Sequence, residues 1–346
     1  MSGKPDKIQW GILGCARVAR QVLAPGIQNS KNGTILAIAS RSLDTARAFA
    51  AVFHIERAYG SYDELLDDGD IGAVYIPLPN SLHREWTIKA ASKGKHVLCE
   101  KPLSCTAREA EEMAEACSRH RVLLMEAFAH RFMPQNLQVK KLLDQGRIGE
   151  AVRMTAVHSS GRPPADDTRL SKELAGGILM DKGCYCVNTA RFIFGAEPIS
   201  VYATAEFGAA SGVDESMTAT LEFVDGKVAQ FDCRFGLSEQ TYCQSYEVFG
   251  QSGHIYVPHG FSRVETYRYG TIVGTSFFVG DDAVANPSLE RIECPGVHSW
   301  QLEAEYFADA ILNGEGLRFP AENGLANMKV MDALYKSARE GRAVEL

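Results

Sequence analysis

From residue 8 to residue 126, short runs rich in β-branched and aliphatic residues alternate with stretches whose apolar residues recur at helical spacing. This alternation constrains the fold more than any other feature. A strand, a helix and a second strand in succession close most readily as a parallel pair, with the helix crossing one face of the sheet. Strands are expected at 8–13, 34–40, 73–76, 96–99 and 123–126, with helices around 18–27, 44–52, 82–93 and 106–120. That layout is α/β: a doubly wound parallel sheet with helices on both faces.

Past Pro134 a helix is expected to about residue 145, and the texture then changes to period-two alternation. Strands are expected at 151–159, 201–207, 217–223, 228–235, 242–250, 254–257, 263–267, 271–275 and 289–292. One helix, 181–194, is set among them, and two more, 301–313 and 324–339, close the chain. The second half therefore reads as an α+β domain with a large, mostly antiparallel open sheet. A length of 346 residues suits two domains at roughly 100 to 200 residues each. The boundary is expected at 127/128, with the C-terminal helices able to pack back on the first domain.

Composition narrows the function classes. At 45% hydrophobic and 23% charged residues the chain can bury two cores, so disorder is not its theme. Its net charge of -7, with 36 basic and 43 acidic residues, lacks a basic block, so nucleic acid is not an expected partner. No run reaches the roughly 18 consecutive apolar residues of a membrane span. The first residues lack the apolar core and cleavage site of a secretory signal, and a cytoplasmic location is expected. Nine cysteines without a C-x-x-C pair read as reduced thiols.

The first strand runs into the first helix through Gly11-Ile12-Leu13-Gly14-Cys15-Ala16-Arg17. At such a turn, missing side chains let the backbone approach a pyrophosphate, and the helix N-terminus stabilises its charge. The G-x-G-x-x-G pattern of dinucleotide-binding domains here reads Gly14-Cys15-Ala16-Arg17-Val18-Ala19, with alanine at the second and third glycine positions. An ordinary tight turn would also produce that diluted string. Its place in the first βαβ unit favours a Rossmann domain that binds a nicotinamide dinucleotide. After the second strand comes Ser40-Arg41-Ser42, where an NAD-specific domain usually carries an acidic residue for the ribose 2′-hydroxyl. Arg41 suits a 2′-phosphate instead, although a solvated loop arginine is the plainer alternative. NADP is the expected cofactor, with NAD possible.

Two later loops reach the carboxyl edge of the sheet, where ligands of open α/β sheets bind. One is Ile76-Pro77-Leu78-Pro79-Asn80-Ser81-Leu82-His83, with Asn80 able to cap the next helix; the other is Cys99-Glu100-Lys101-Pro102. These loops, with Met125-Glu126-Ala127 and Gly176-Gly177-Ile178-Leu179-Met180-Asp181-Lys182-Gly183-Cys184-Tyr185, resemble the glucose-fructose oxidoreductase, inositol dehydrogenase and rhizopine-catabolism (Gfo/Idh/MocA) family over nearly the whole chain. The last segment is similar to that family's G-G-G-x-L-x-D-x-G-x-H/Y. Tyrosine at 185, and the run Glu126-Ala127-Phe128-Ala129-His130-Arg131-Phe132, resemble the branch with dihydrodiol dehydrogenases and pentose or aldose (D-xylose type) dehydrogenases.

The resemblance implies that Lys101 meets both the nicotinamide ribose and the substrate, while Asp181 and Tyr185 line the same pocket from the second domain. Candidate cofactor residues are Gly14, Cys15, Ala16, Arg17, Val18, Ser40, Arg41, Pro77, Leu78, Asn80, His83, Glu100 and Lys101. Candidate substrate residues are Lys101, Asp181 and Tyr185, with Arg131 and His130 as further rim candidates. Asp181 and Tyr185, four apart at a helix start, share a face. A tyrosine hydroxyl titrates near pH 10 unaided, and a lysine cation with a helix N-terminus would lower it. The plainer alternatives are a core tyrosine and a helix-capping aspartate. Lys182 stands where relatives commonly carry an apolar residue; it either pairs with a carboxylate outside the site or shifts the pocket's charge.

The implied reaction is hydride transfer between a nicotinamide and a secondary alcohol of a sugar, polyol or dihydrodiol. Lys101, Tyr185 and Asp181 are its catalytic candidates, and no metal is expected, because no histidine or cysteine cluster has ligand spacing. Two alternatives share the fold: an NAD-assisted glycoside hydrolase and a non-catalytic NADP-binding regulator. A homodimer or homotetramer through the open sheet is expected.

Overall fold

The computed structural model describes residues 6–237, 243–261, 275–281 and 289–346. The chain divides into two compact units, Met1–Ala129 with His298–Met328, and His130–Val297 with Lys329–Leu346.

In the first unit, β1 (Ile8–Leu13), β2 (Gly33–Ala39), β3 (Arg57–Tyr59), β4 (Ala73–Ile76), β5 (His96–Glu100) and β6 (Leu124–Ala127) form a parallel sheet in the order β3-β2-β1-β4-β5-β6. Its central strands are covered on both faces, so Ile12, Leu13, Val74, Tyr75, Val97 and Leu98 are buried in consecutive rather than alternating positions. The helices are α1 (Ala24–Gln28), α2 (Leu43–Phe53), α3 (Tyr62–Asp67), α4 (Asn80–Ser92) and α5 (Ala107–His120). The fold is the α/β architecture expected, with two elements added. Neither β3, three half-buried residues at the sheet edge, nor the six-residue α3 is long enough to show a period. The first helix also differs from a plain α-helix, because Ala19–Leu23 form a π-helical turn before α1. Pro25 has no amide to bond the carbonyl one α-turn back, and the Ala24 amide bonds Ala19 instead. Strand order reverses between β1 and β4, which opens the crevice where doubly wound sheets bind ligands.

The second unit carries α6 (Pro134–Asp144), β7 (Ala151–Gly161), α7 (Cys184–Phe194), β8 (Ser200–Phe207), β9 (Asp214–Glu222), β10 (Val228–Leu237), β11 (Cys243–Gly250), β12 (Gly253–Val257), β13 (Thr275–Asp281), β14 (Leu289–Cys294) and β15 (Val344–Glu345). Its nine strands run β14-β13-β12-β11-β7-β10-β9-β8-β15, and all neighbours are antiparallel except β7 with β10. Met154, Ala156 and His158 point into the core from alternate positions of β7. The strand expected at 263–267, and that at 271–275 but for Thr275, lie outside the described residues.

After the second sheet the chain returns to the first unit as α8 (Ser299–Asn313), and α9 (Ala321–Glu340) starts there and ends in the second. α8 lies against α1 so closely that a Cβ on Gly26 would stand 3.0 Å from the Gln301 amide nitrogen.

Candidate active site

Gly14 closes the turn after β1. Its φ of +111° is a conformation that side chains disfavour, and a Cβ there would stand 2.9 Å from Leu78 Cδ2. Its amide donates to Ala39 O at 2.9 Å, so the turn is tied to the end of β2. Leu78 thus leaves no room for a side chain at this turn of the β1/β4 crevice, and a bare backbone there fits a dinucleotide pyrophosphate. Cys15, Ala16, Arg17 and Val18 continue the turn into the first helix. Cys15 meets Ser40 across the turn and donates weakly to Thr45 O at 3.7 Å, and burial pushes its thiol up. Ser42 caps α2 by accepting from Thr45 N, which fixes the exposed Arg41 at the lip. Tyr62 was not legible as a site residue, yet its hydroxyl lies 3.8 Å from where a Gly14 Cβ would be. Arg41 and Cys15 are close enough to act on that hydroxyl, which burial pushes up, and Trp86 meets its ring edge-on at 4.8 Å.

At the two rim loops one expectation, the Asn80 cap, is corrected. Pro79, not Asn80, takes the cap position of α4, and Asn80 is its first residue. His83 is wholly buried with Nδ1 3.0 Å from Pro102 O and Nε2 2.8 Å from Leu78 O. It ties the two rim loops together; burial, with Lys101 next in effect among the charges, holds its ring below the usual histidine range. Glu100 also turns inward. Its Oε1 accepts from Tyr75 Oη at 2.6 Å and its Oε2 from the Lys101 amide at 3.2 Å. Burial, then the Glu100 charge, pushes the Tyr75 hydroxyl well up, so it remains a donor. One residue past the cis Lys101-Pro102 bond, the Leu103 amide donates to Glu126 Oε1 at 2.9 Å. Lys101, half-buried, thus stands on a backbone fastened by Glu100, Glu126 and His83. Pro77 and Leu78 are buried in the neighbouring rim loop.

In the second unit the helix expected to start at Asp181 starts two residues earlier, as a π-helical turn, Leu179–Gly183, that runs into α7. Asp181 is not its cap. The Leu179 amide is capped by Asp214 Oδ2 at 2.7 Å, while Asp214 Oδ1 accepts from Tyr335 Oη at 2.8 Å. Burial pushes the Asp214 carboxyl up to about 6 against those hydrogen bonds. Asp181 Oδ2 instead meets Arg169 Nε and Lys182 Nζ, each at 3.6 Å. Lys182 therefore pairs with a carboxylate of the candidate site itself, not with one outside it.

Tyr185 is enclosed by rings. His130 and His158 meet it edge-on at 5.1 and 5.2 Å, Phe261 lies 6.3 Å away, and His158 stacks on Phe261 at 4.8 Å. Burial, then Arg131, holds the His130 ring well below the usual range, so it is neutral. Arg131, expected at a rim, is buried and donates from Nε to Asn188 Oδ1 at 2.9 Å. It braces the interior of the unit. Three residues of this cluster escaped the sequence reading. His158 could have been found as a polar residue at an inward position of an alternating strand; Arg169 and Phe261 lie in irregular segments without a period.

A doubly wound parallel sheet with a glycine turn at its order reversal is an architecture that binds dinucleotides. Residues 8–128 match the model of an oxidoreductase family with an NAD-binding Rossmann fold, and residues 136–256 match the GFO/IDH/MocA C-terminal domain. A D-xylose 1-dehydrogenase (NADP(+)) of Haloferax volcanii is 37% identical over 98% of this chain and 100% of its own length. The chain belongs to the Gfo/Idh/MocA family of oxidoreductases. A trans-1,2-dihydrobenzene-1,2-diol dehydrogenase of Xenopus laevis is 37% identical over 62% of this chain and 65% of its own. A 3-ketoreductase from Actinomadura kijaniata, solved with NADP and TDP-benzene, superposes with a TM-score of 0.86 at 31% identity, covering 96% of this chain and 98% of that one. Among the described residues no helix is long and apolar enough to cross a membrane, and no group of three or more His, Cys, Asp or Glu could hold a metal ion.

Proposed function

We propose that the protein is an NADP-preferring dehydrogenase that oxidises a secondary alcohol of a sugar, polyol or dihydrodiol, of the D-xylose 1-dehydrogenase or trans-dihydrodiol dehydrogenase type. The observation that carries the reading is the head of α7, where one helical turn presents a carboxylate, Asp181, and a phenol, Tyr185. Bound nicotinamide supplies the acceptor for the electron pair that leaves the carbon. Tyr185 takes the proton of the reacting hydroxyl, and Asp181 accepts hydrogen bonds from the substrate and fixes its orientation. Lys101 supplies the cation that the family resemblance pairs with this tyrosine and with the nicotinamide ribose. A panel of pentoses, hexoses, inositols and dihydrodiols, offered with NADP and with NAD, tests the reading. At least one compound should give reduced cofactor by absorbance; a panel without any, or glycoside cleavage without accumulated reduced cofactor, would overturn it.

NADP preference rests on Arg41, exposed at the lip of the Gly14 turn. A guanidinium on a phosphate is a charge-assisted pair, so Arg41→Ala should lower kcat/KM for NADP by about 10- to 100-fold and leave that for NAD nearly unchanged. An equal effect on both cofactors would remove the 2′-phosphate role.

We also propose a cytoplasmic homodimer or homotetramer associated through the open face of the nine-stranded sheet. Exposed Tyr202 on β8 and Tyr256 on β12 support this, since large aromatic side chains on a sheet face favour burial. A stable monomer by light scattering at micromolar concentration would contradict it.

A further inference from the structure

Two carboxyl groups serve the same helix head, and their surroundings differ. Asp214 is buried and held by neutral donors, the Leu179 amide and the Tyr335 hydroxyl. Asp181 meets two cations on one oxygen, Oδ2, and the three side chains are between 14% and 31% exposed. At that depth water screens the pairs less than it would on the surface.

Arg169 is delivered there by the fold. It sits in a 3-10 turn, Thr168–Leu170, capped by Asp167, which accepts from the Arg169 amide at 3.0 Å and lies 3.7 Å from its Nε. The Arg169 carbonyl accepts from the Gly177 amide at 2.9 Å. A Cβ on Gly176 would run into that same carbonyl, so the paired glycines let the Arg169 turn press against the helix head. Lys182 follows Asp181 directly in the chain.

The other titratable groups around the head come from each strand packed on it. β7 presents His158, which faces Tyr185; β9 presents Asp214; β10 presents Cys233, whose Sγ would be 3.2 Å from a Cβ on Gly183 and whose thiol burial pushes well up. α9 adds Tyr335 against Asp214, with the Arg339 guanidinium acting on the same carboxyl, and α7 adds Tyr185.

We propose that Arg169 and Lys182 are positioning residues for the reaction, holding Asp181 as an anion so that it accepts a hydrogen bond from a substrate hydroxyl. The proposal rests on the reading above that Asp181 faces the substrate. A neighbouring cation favours the charged form of a partly buried carboxyl, whereas a neutral carboxyl forms weaker bonds and can donate as well as accept. An ionised acceptor makes a bond roughly twice as strong as a neutral one.

The test titrates Asp181 directly in the full-length protein, by NMR of isotope-labelled aspartate carboxyls, with its signal identified by its loss in Asp181→Asn. Arg169→Met and Lys182→Met should each raise the Asp181 midpoint by about one pH unit or more. The conservative variants Arg169→Lys and Lys182→Arg should hold it near the wild-type value. An unmoved midpoint in both methionine variants would overturn the proposal. With D-xylose and NADP as the kinetic probe, the acid limb of kcat/KM should move to higher pH in the same variants; a lower rate with an unmoved limb would reduce both residues to a structural role. Absence of D-xylose oxidation bears on the proposed function alone, because the titration still decides this one.

Discussion

Tyr185→Phe is expected to lower kcat by about 100- to 10,000-fold, the usual size of a lost general acid-base group, with cofactor affinity within a few-fold of wild type. The phenylalanine ring keeps the edge-on packing against His130 and His158 and the approach of Phe261, so the variant removes a hydroxyl and little else. Lys101→Met should cost turnover on the same scale. Its backbone is fastened by the Lys101 amide to Glu100, the Leu103 amide to Glu126, and Pro102 O to His83, none of which involves the amine. Loss of turnover with the loop intact would separate a chemical role from a folding one. Steady-state kinetics with cofactor binding measured by fluorescence decides it, and turnover near wild type in either variant would remove that residue from the mechanism.

The two halves of the chain were legible to different degrees. Strand-helix alternation gave the parallel sheet because β1, β2, β4, β5 and β6 are buried on both faces and bounded by turns, a pattern that local sequence carries in full. β3 and α3 escaped because three and six residues are too few for a period to declare itself. Among the candidate site residues, Gly14 and Lys101 were legible because each follows a strand of the parallel sheet, whereas Asp181 and Tyr185 were singled out by the family resemblance. Their supports were not visible. Asp214 caps Leu179 from 35 residues away, and Arg169 reaches Asp181 from a short turn in an irregular loop. His83 was a candidate cofactor residue because its loop reaches the carboxyl edge of the sheet and resembles the family's. Only the tertiary structure shows both of its nitrogens turned toward backbone carbonyls. Motif position singles out the candidate reacting side chains, whereas the groups packed around them are long-range contacts and have no local signature.

Gly177→Ala is expected to lower the free energy of unfolding by about 3 to 5 kcal/mol. Two costs combine. At a φ of +119° any side chain is strained, by roughly 1 to 3 kcal/mol. The added Cβ would also land on the Asp214 carboxylate, which must then leave the Leu179 amide it caps or the Tyr335 hydroxyl it accepts from. Losing a cap costs about 1 kcal/mol, and a buried carboxylate without its donors costs more. Gly195→Ala is the internal control. Its φ of +63° is also left-handed, but a Cβ there meets nothing within 4 Å, so only the backbone cost of about 1 kcal/mol applies. Urea unfolding of both variants measures the difference. Equal losses would show that the Asp214 contact contributes nothing. A double variant, Gly177→Ala with Asp214→Ala, should lose less than the sum of its single changes, because the clash and the cap are one interaction counted twice.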